Sequence, residues 1–121
     1  MAVSRARCLI VLLLISFPAL AANVAPSAAA EQVIKVTAKR FEYSPSVITV
    51  KVSTPVVLEF TSLDRTHGFA VPDLKLEAEI KAGETTRVRF VPDKVGRFAF
   101  HCNIFCGSGH EDMSGEIVVT D

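Results

Sequence analysis

The sequence predicts an all-β protein, a two-sheet antiparallel sandwich of seven to eight short strands. From about residue 32 onward, apolar and polar residues alternate with a period of two, and turn residues interrupt this alternation at regular intervals. The same region lacks the 3.6-residue period of an amphipathic helix. Hydrophobic residues make up 50% of the 121 residues, enough for a buried core in one domain, which we expect to span residues 32–121.

Each predicted strand has an apolar set that would face the core and a polar set that would face solvent. Turn signals at residues 82–84 and 92–96 lie on either side of the predicted strand that contains Val88 and Phe90. In the next strand, Cys102 has the same parity as Phe98 and Phe100, so its thiol should point inward with those two rings. In chain order, the core-facing sets are Ile34, Val36 and Ala38; Ile48, Val50 and Val52; Val56, Leu58 and Phe60; Leu74, Leu76, Ala78 and Ile80; Val88 and Phe90; Phe98, Phe100 and Cys102; and the final strand is 116–120.

The first 22 residues differ in character from the rest of the chain. Arg5 and Arg7 precede an apolar run and then Pro18, a pattern typical of a secretory signal peptide (residues 1–22, with cleavage as late as residue 30). The Ala-rich residues 23–31 predict a linker. A retained membrane anchor is the alternative, but the apolar run is shorter than the ~20 residues that a bilayer requires. We therefore expect an exported protein, in the periplasm or at the outer face of the cytoplasmic membrane.

The charge balance argues against a nucleic-acid partner. Thirteen basic and thirteen acidic side chains give a formal net charge of zero, and the Lys and Arg residues form no cluster in the sequence. Contact with a membrane would then depend on an uncleaved anchor or on a partner subunit.

The segment between the last two predicted strands concentrates metal-binding side chains. Twelve residues contain Cys102, Cys106, His110 and Met113. Thiolate and thioether sulfur combined with imidazole nitrogen favour copper over hard cations. His67 follows the Phe60 strand and could reach the same end of the sandwich.

These side chains allow more than one kind of site. Cys106, His110, Met113 and His67 alone form the ligand set of a mononuclear blue-copper site, whereas Cys102 as a second, bridging thiolate would permit two copper ions. A Cys102–Cys106 disulfide is one alternative, because exported proteins meet an oxidising compartment. A zinc site of two cysteines and two histidines is another, although the thioether and the cysteine spacing argue against it.

Other polar residues near this segment have simpler interpretations. His101 adjoins Cys102, but its parity is opposite to that of Phe98 and Phe100, which predicts a surface histidine. Three acidic residues are either solvated loop charges or part of an acidic rim for a basic partner; they are Asp64, Glu111 and Asp112.

The Cys-x3-Cys-x3-His-x2-Met motif, with the upstream segment Asp-Arg-Thr-His-Gly-Phe at residues 64–69, resembles the binuclear copper A (CuA) site of cytochrome c oxidase subunit II and of nitrous oxide reductase. Both of those sites are built on the Greek-key cupredoxin fold. The resemblance implies that Cys102 and Cys106 are bridging thiolates. It implies that His67 and His110 each bind one copper ion. Met113 and the backbone carbonyl of Ile104 would be two weak ligands.

The resemblance also implies a function. Such a protein would accept single electrons from a c-type cytochrome and pass them to a terminal oxidase or reductase, with subunit I of a haem–copper oxidase as a partner. It could be the electron-accepting subunit of an oxidase, but by itself it is not expected to turn over substrate. The alternative is a periplasmic protein that stores copper or delivers it for oxidase assembly.

One feature departs from the family. The chain has no Trp, whereas oxidase subunits usually carry a tryptophan-rich segment, associated with cytochrome docking, in the region of residues 39–43. Phe41 and Tyr43 are the candidates to take its place.

Overall fold

Two β-sheets packed around a shared apolar core form the computed structural model, which describes residues 30–121. One sheet has the strand order β2-β1-β4-β7 and the other β3-β9-β8-β5-β6, which confirms the predicted all-β sandwich. The nine strands are β1 (Gln32–Lys39), β2 (Glu42–Ser44), β3 (Val47–Lys51), β4 (Val56–Ser62), β5 (His67–Val71), β6 (Leu76–Ile80), β7 (Thr85–Phe90), β8 (Gly96–His101) and β9 (Ser114–Thr120).

The strands differ from the prediction in number, extent and direction. β5 is an additional strand whose five residues are all buried, so it has no alternation to reveal it. β6 begins two residues later than the alternation from Leu74 predicts, because Pro72–Leu74 forms a 3₁₀ helix. The purely antiparallel arrangement is wrong, since β1 pairs with β4 and β3 pairs with β9 in parallel.

The predicted inward-facing residues fill the space between the sheets. Four aromatic rings form a connected series within this core. Ring centroids are 4.6 Å apart between Phe60 and Phe69, 5.2 Å between Phe69 and Phe100, and 4.9 Å between Phe100 and Tyr43. Each of these aromatic side chains buries a large apolar surface and has few rotatable bonds. The series is therefore a rigid support for the loop that follows β8, which lies at the Tyr43 end of the series.

The directions of the strands bring the predicted metal-binding residues to one end of the sandwich. β4 ends just before His67, the first residue of β5, and β8 ends just before Cys102. β1 runs parallel to β4, so Gln32 lies at the opposite end. Residues 102–113 connect β8 to β9 and are called loop 102–113 below.

The predicted signal peptide (residues 1–22) and nearly all of the predicted linker (residues 23–31) lie outside the described residues, and both stay predictions. Within residues 30–121, no helix has the length and apolar character needed to cross a membrane.

Candidate metal centre

Loop 102–113 is closed by backbone hydrogen bonds. The Cys102 N–H donates to the carbonyl oxygen of Met113 over 3.0 Å and joins the two ends of the loop. Within the loop, a 3₁₀ turn forms at His110–Asp112, and its first N–H donates to the carbonyl oxygen of Gly107 over 3.1 Å. The loop therefore holds its own shape.

The two thiols of this loop are buried and close together. Cys102 is 2% exposed and Cys106 is inaccessible, and their Sγ atoms lie 3.7 Å apart as free thiols. That separation is far longer than the ~2.05 Å of a disulfide bond. The same Sγ–Sγ separation is shorter than the sum of two metal–thiolate bonds of about 2.3 Å each, so one metal ion can contact both sulfurs.

His67 joins the thiols from β5. Its ligand atoms and those of Cys102 and Cys106 all lie within 4.8 Å of one another, and its side chain is fully buried. Nε2 lies 2.6 Å from Oδ1 of Asp64, whereas the buried Nδ1 has no hydrogen-bond partner among the described residues. A buried ring nitrogen without a partner is costly, and a metal ion beside the sulfurs would satisfy it.

The other predicted residues lie around the same pair of sulfurs. Cys106 Sγ is 3.6 Å from Nδ1 of His110 and 3.8 Å from Sδ of the buried Met113. The Cys102 thiol donates to the backbone carbonyl of Ile104 over 3.1 Å. All six predicted groups are thus brought together, and their role as metal ligands stays a prediction.

Two glycines of loop 102–113 accommodate the ring of Phe41. Gly107 has φ of +140°, a conformation that favours glycine. Gly109 has φ of −99°, which any residue can adopt, but a Cβ there would lie 2.5 Å from the Phe41 ring. The aromatic residue after β1 therefore packs directly on the loop.

Burial also affects the thiols chemically. Burial, together with the neighbouring Cys102 thiol, raises the pKa of Cys106 from 9.0 to about 11. Without metal, Cys106 is therefore protonated at neutral pH. Binding of a metal ion through its sulfur would release a proton.

Asp64 is the main support of His67. Partial burial by itself would raise the pKa of Asp64, but hydrogen bonds from the Arg40 N–H, the His67 ring and the Arg65 N–H lower it from 3.8 to about 2. The two backbone donors each lie 2.7 Å from the carboxylate. The carboxylate is therefore fixed before it contacts the imidazole, and it selects the tautomer whose Nδ1 is free.

We expect Asp64→Asn to destabilise the reduced, metal-free protein by about 1 kcal/mol at pH 7, a figure reduced for the partial exposure of the carboxylate. Because the pKa of Asp64 is lower in the folded state, its stabilisation is full above about pH 4 and is lost as the pH falls towards about 2. Urea unfolding at pH 7 and near pH 2 should show that the difference in free energy of unfolding between Asp64→Asn and wild type shrinks in acid. The control is Asp73→Asn, at an exposed site; a deficit that persists unchanged in acid would contradict the expectation.

His101 is exposed, as its parity predicts. Sequence reasoning did not find three supporting residues: Asp64 as the partner of His67, and Gly68 and Tyr43, which contact the site from β5 and β2. The three-residue spacing of Asp64 and His67 was the available signal for the first. The other two depend on pairings between distant strands.

The family described as the cupredoxin-like domain matches residues 7–119. Cytochrome c oxidase subunit 2 of Thermus thermophilus is 36% identical over 88 residues, which are 73% of this chain and 65% of that protein. Nitrous-oxide reductase of Ralstonia nicotianae is 32% identical over 90 residues, 71% of this chain and 14% of that enzyme. The chain spans less than two thirds of the length of either relative.

A solved structure shares the fold. The periplasmic domain of subunit II of cytochrome oxidase from Bradyrhizobium japonicum superposes with a TM-score of 0.69 at 21% sequence identity. The match covers 74% of this chain and 84% of that domain.

Proposed function

This chain belongs to the family of cupredoxin-like domains, and we propose that it is an exported electron-transfer protein that carries two copper ions as a binuclear CuA centre. The observation that carries the proposal is the buried pair of free thiols 3.7 Å apart, with an imidazole supplied from each of two separate segments. The similarity to an oxidase subunit and to a reductase supports copper as the metal.

Each predicted ligand has a role in this proposal. Cys102 and Cys106 would hold the two ions as bridging thiolates, and His67 and His110 would each hold one of them through Nδ1. Met113 and the Ile104 carbonyl would be weak ligands. The free Nδ1 of His67 and the nearness of the His110 Nδ1 to Cys106 support the assignment of the imidazoles.

A bound copper pair would supply one-electron redox chemistry, and the chain's own residues do the rest. Cys102, Cys106, His67 and Met113 are buried, so water is excluded from four of the six proposed ligand groups, whereas Ile104 and His110 are half-buried. The closed loop 102–113 and the aromatic series beneath it hold those atoms in place. Ligand atoms that are fixed in place and mostly shielded from water move little when an electron arrives or leaves.

The route of the electron is part of the proposal. Phe105 is 70% exposed on loop 102–113, and its ring centroid lies 5.8 Å from that of His110. This gives a donor, which we propose is a c-type cytochrome, an apolar contact beside one ligand. The acceptor would be a terminal oxidase or reductase, and in an oxidase the neighbouring partner would be subunit I.

The test combines copper analysis with kinetics. The copper-loaded protein should be coloured, contain two ions per chain, and give a paramagnetic spectrum in which both share one unpaired electron. Stopped-flow mixing with reduced cytochrome c should show electron uptake. His110→Ala and His101→Ala form a matched pair, and only the first should change the spectrum, because His101 is exposed on β8.

Other outcomes point elsewhere. A colourless protein after copper loading would contradict copper as the redox metal, and a single ion per chain would contradict the binuclear centre. Transfer of copper to a competing Cu(I) acceptor without electron uptake would favour the second candidate, storage or delivery of copper for oxidase assembly.

A further inference from the structure

Tyr43 of β2 lies in the core directly beneath the proposed metal centre. It is 3% exposed, and its ring packs edge-to-face on Phe100 with centroids 4.9 Å apart. Its hydroxyl donates a buried hydrogen bond of 2.6 Å to the carbonyl oxygen of Gly68. Since Tyr43 and Gly68 come from opposite sheets, this bond ties the two sheets together at the metal end.

Gly68 in turn contacts the sulfur of Cys102. Its N–H donates to Cys102 Sγ over 3.2 Å. A Cβ on Gly68 would lie 2.0 Å from Oδ1 of Asn103 and 2.9 Å from the backbone nitrogen of Ile104, so the backbone of β5 lies tightly against loop 102–113. Both polar backbone groups of Gly68 are therefore engaged, one by the phenol and one by the thiol.

The phenol is held in its donating form. Burial, followed by the nearby thiols of Cys102 and Cys106, raises the pKa of Tyr43 well above its usual value. A phenol is already neutral at pH 7, so the hydroxyl is available as the donor to Gly68.

We propose that Tyr43 is a positioning residue of the metal centre: its hydroxyl holds Gly68 so that the Gly68 amide donates to the sulfur of Cys102. This rests on the proposed function where copper is concerned. Hydrogen bonds to a metal-binding cysteine sulfur draw electron density from it and tune the reduction potential. A weaker amide–sulfur bond leaves the sulfur more electron-rich, which favours the oxidised metal and shifts the potential downward.

The test is Tyr43→Phe, which removes the hydroxyl and keeps the ring against Phe100. The matched control is Thr120→Val, which removes a hydroxyl that donates to the Val50 carbonyl over 3.4 Å, at the opposite end of β9. Two readouts use the copper-loaded protein: the reduction potential and the rate of copper release to a chelator. A third, hydrogen exchange of the Gly68 amide, uses the reduced metal-free protein.

We expect Gly68 exchange to accelerate roughly fivefold to tenfold in Tyr43→Phe, the ratio that corresponds to one net hydrogen bond. The potential should shift to a lower value and copper release should be faster, whereas Thr120→Val should change none of the three. Unchanged Gly68 exchange in a folded Tyr43→Phe protein, or equal changes in both variants, would overturn the proposal. If the protein bound no copper, the proposed function would fail, yet the metal-free exchange measurement would still decide the role of Tyr43.

Discussion

Cys102→Ser is expected to lower the copper content of the loaded protein from two ions to one per chain and to abolish the signal of an electron shared between two ions. The physical reason is that a serine hydroxyl is a hard, protonated oxygen that does not replace a bridging thiolate. The remaining thiolate, imidazoles and thioether form the ligand set of a mononuclear blue-copper site. Copper analysis and paramagnetic resonance of the same sample measure both changes.

The control for this variant is Ser108→Ala, an exposed position in the same loop. It should keep both ions and the shared signal. If Cys102→Ser retained two ions and an unchanged spectrum, Cys102 would have no bridging role.

Gly68→Ala is expected to lower the free energy of unfolding of the metal-free protein by about 3 kcal/mol, in the upper part of the range for overpacking a core. The added methyl would lie 2.0 Å from Oδ1 of Asn103 and 2.8 Å from its backbone nitrogen. The side chain of Asn103 can turn away only by giving up its 2.8 Å hydrogen bond to Glu77, and the backbone nitrogens can move only with loop 102–113. Chemical denaturation at neutral pH under reducing conditions measures the loss.

Gly83→Ala is the comparison for this prediction. Gly83 has φ of +80°, but no atom lies within 4 Å of the position that a Cβ would occupy, so alanine there incurs conformational strain alone, about 1 kcal/mol. A loss at Gly68 no larger than at Gly83 would mean that β5 and the loop separate easily, contrary to the tight packing inferred for them.

The sequence was sufficient for the fold class and for assembling a candidate site. Period-two alternation identified strands such as β3 and β4, because their apolar side chains face one core. Five of the six predicted groups fall within one short loop, so their proximity follows from sequence spacing alone. His67 was expected at the same end of the sandwich because it follows the Phe60 strand, and its assignment as a ligand leaned on the family segment around it; the structure brings its side chain beside the two thiols.

The parts that sequence did not predict depend on long-range contacts. β5 is buried on both faces, and a continuous run of buried residues carries no period to distinguish it from a loop. The bond from Tyr43 to Gly68 joins residues 25 positions apart, and that from Gly68 to Cys102 joins residues 34 apart. No local pattern specifies such pairs: the first arises only when the two sheets pack together, and the second only when β5 and β8 become neighbours in one sheet.

The direction of β1 has a practical consequence for electrochemistry. β1 has eight residues and spans about 25 Å from Gln32 towards the end of the sandwich that carries loop 102–113. A protein immobilised on an electrode by a tag placed before Gln32 would hold the proposed metal centre away from the conducting surface and facing the solution. Attachment through an engineered group beside the exposed Phe105 would reverse that orientation and bring the centre within short range of the electrode.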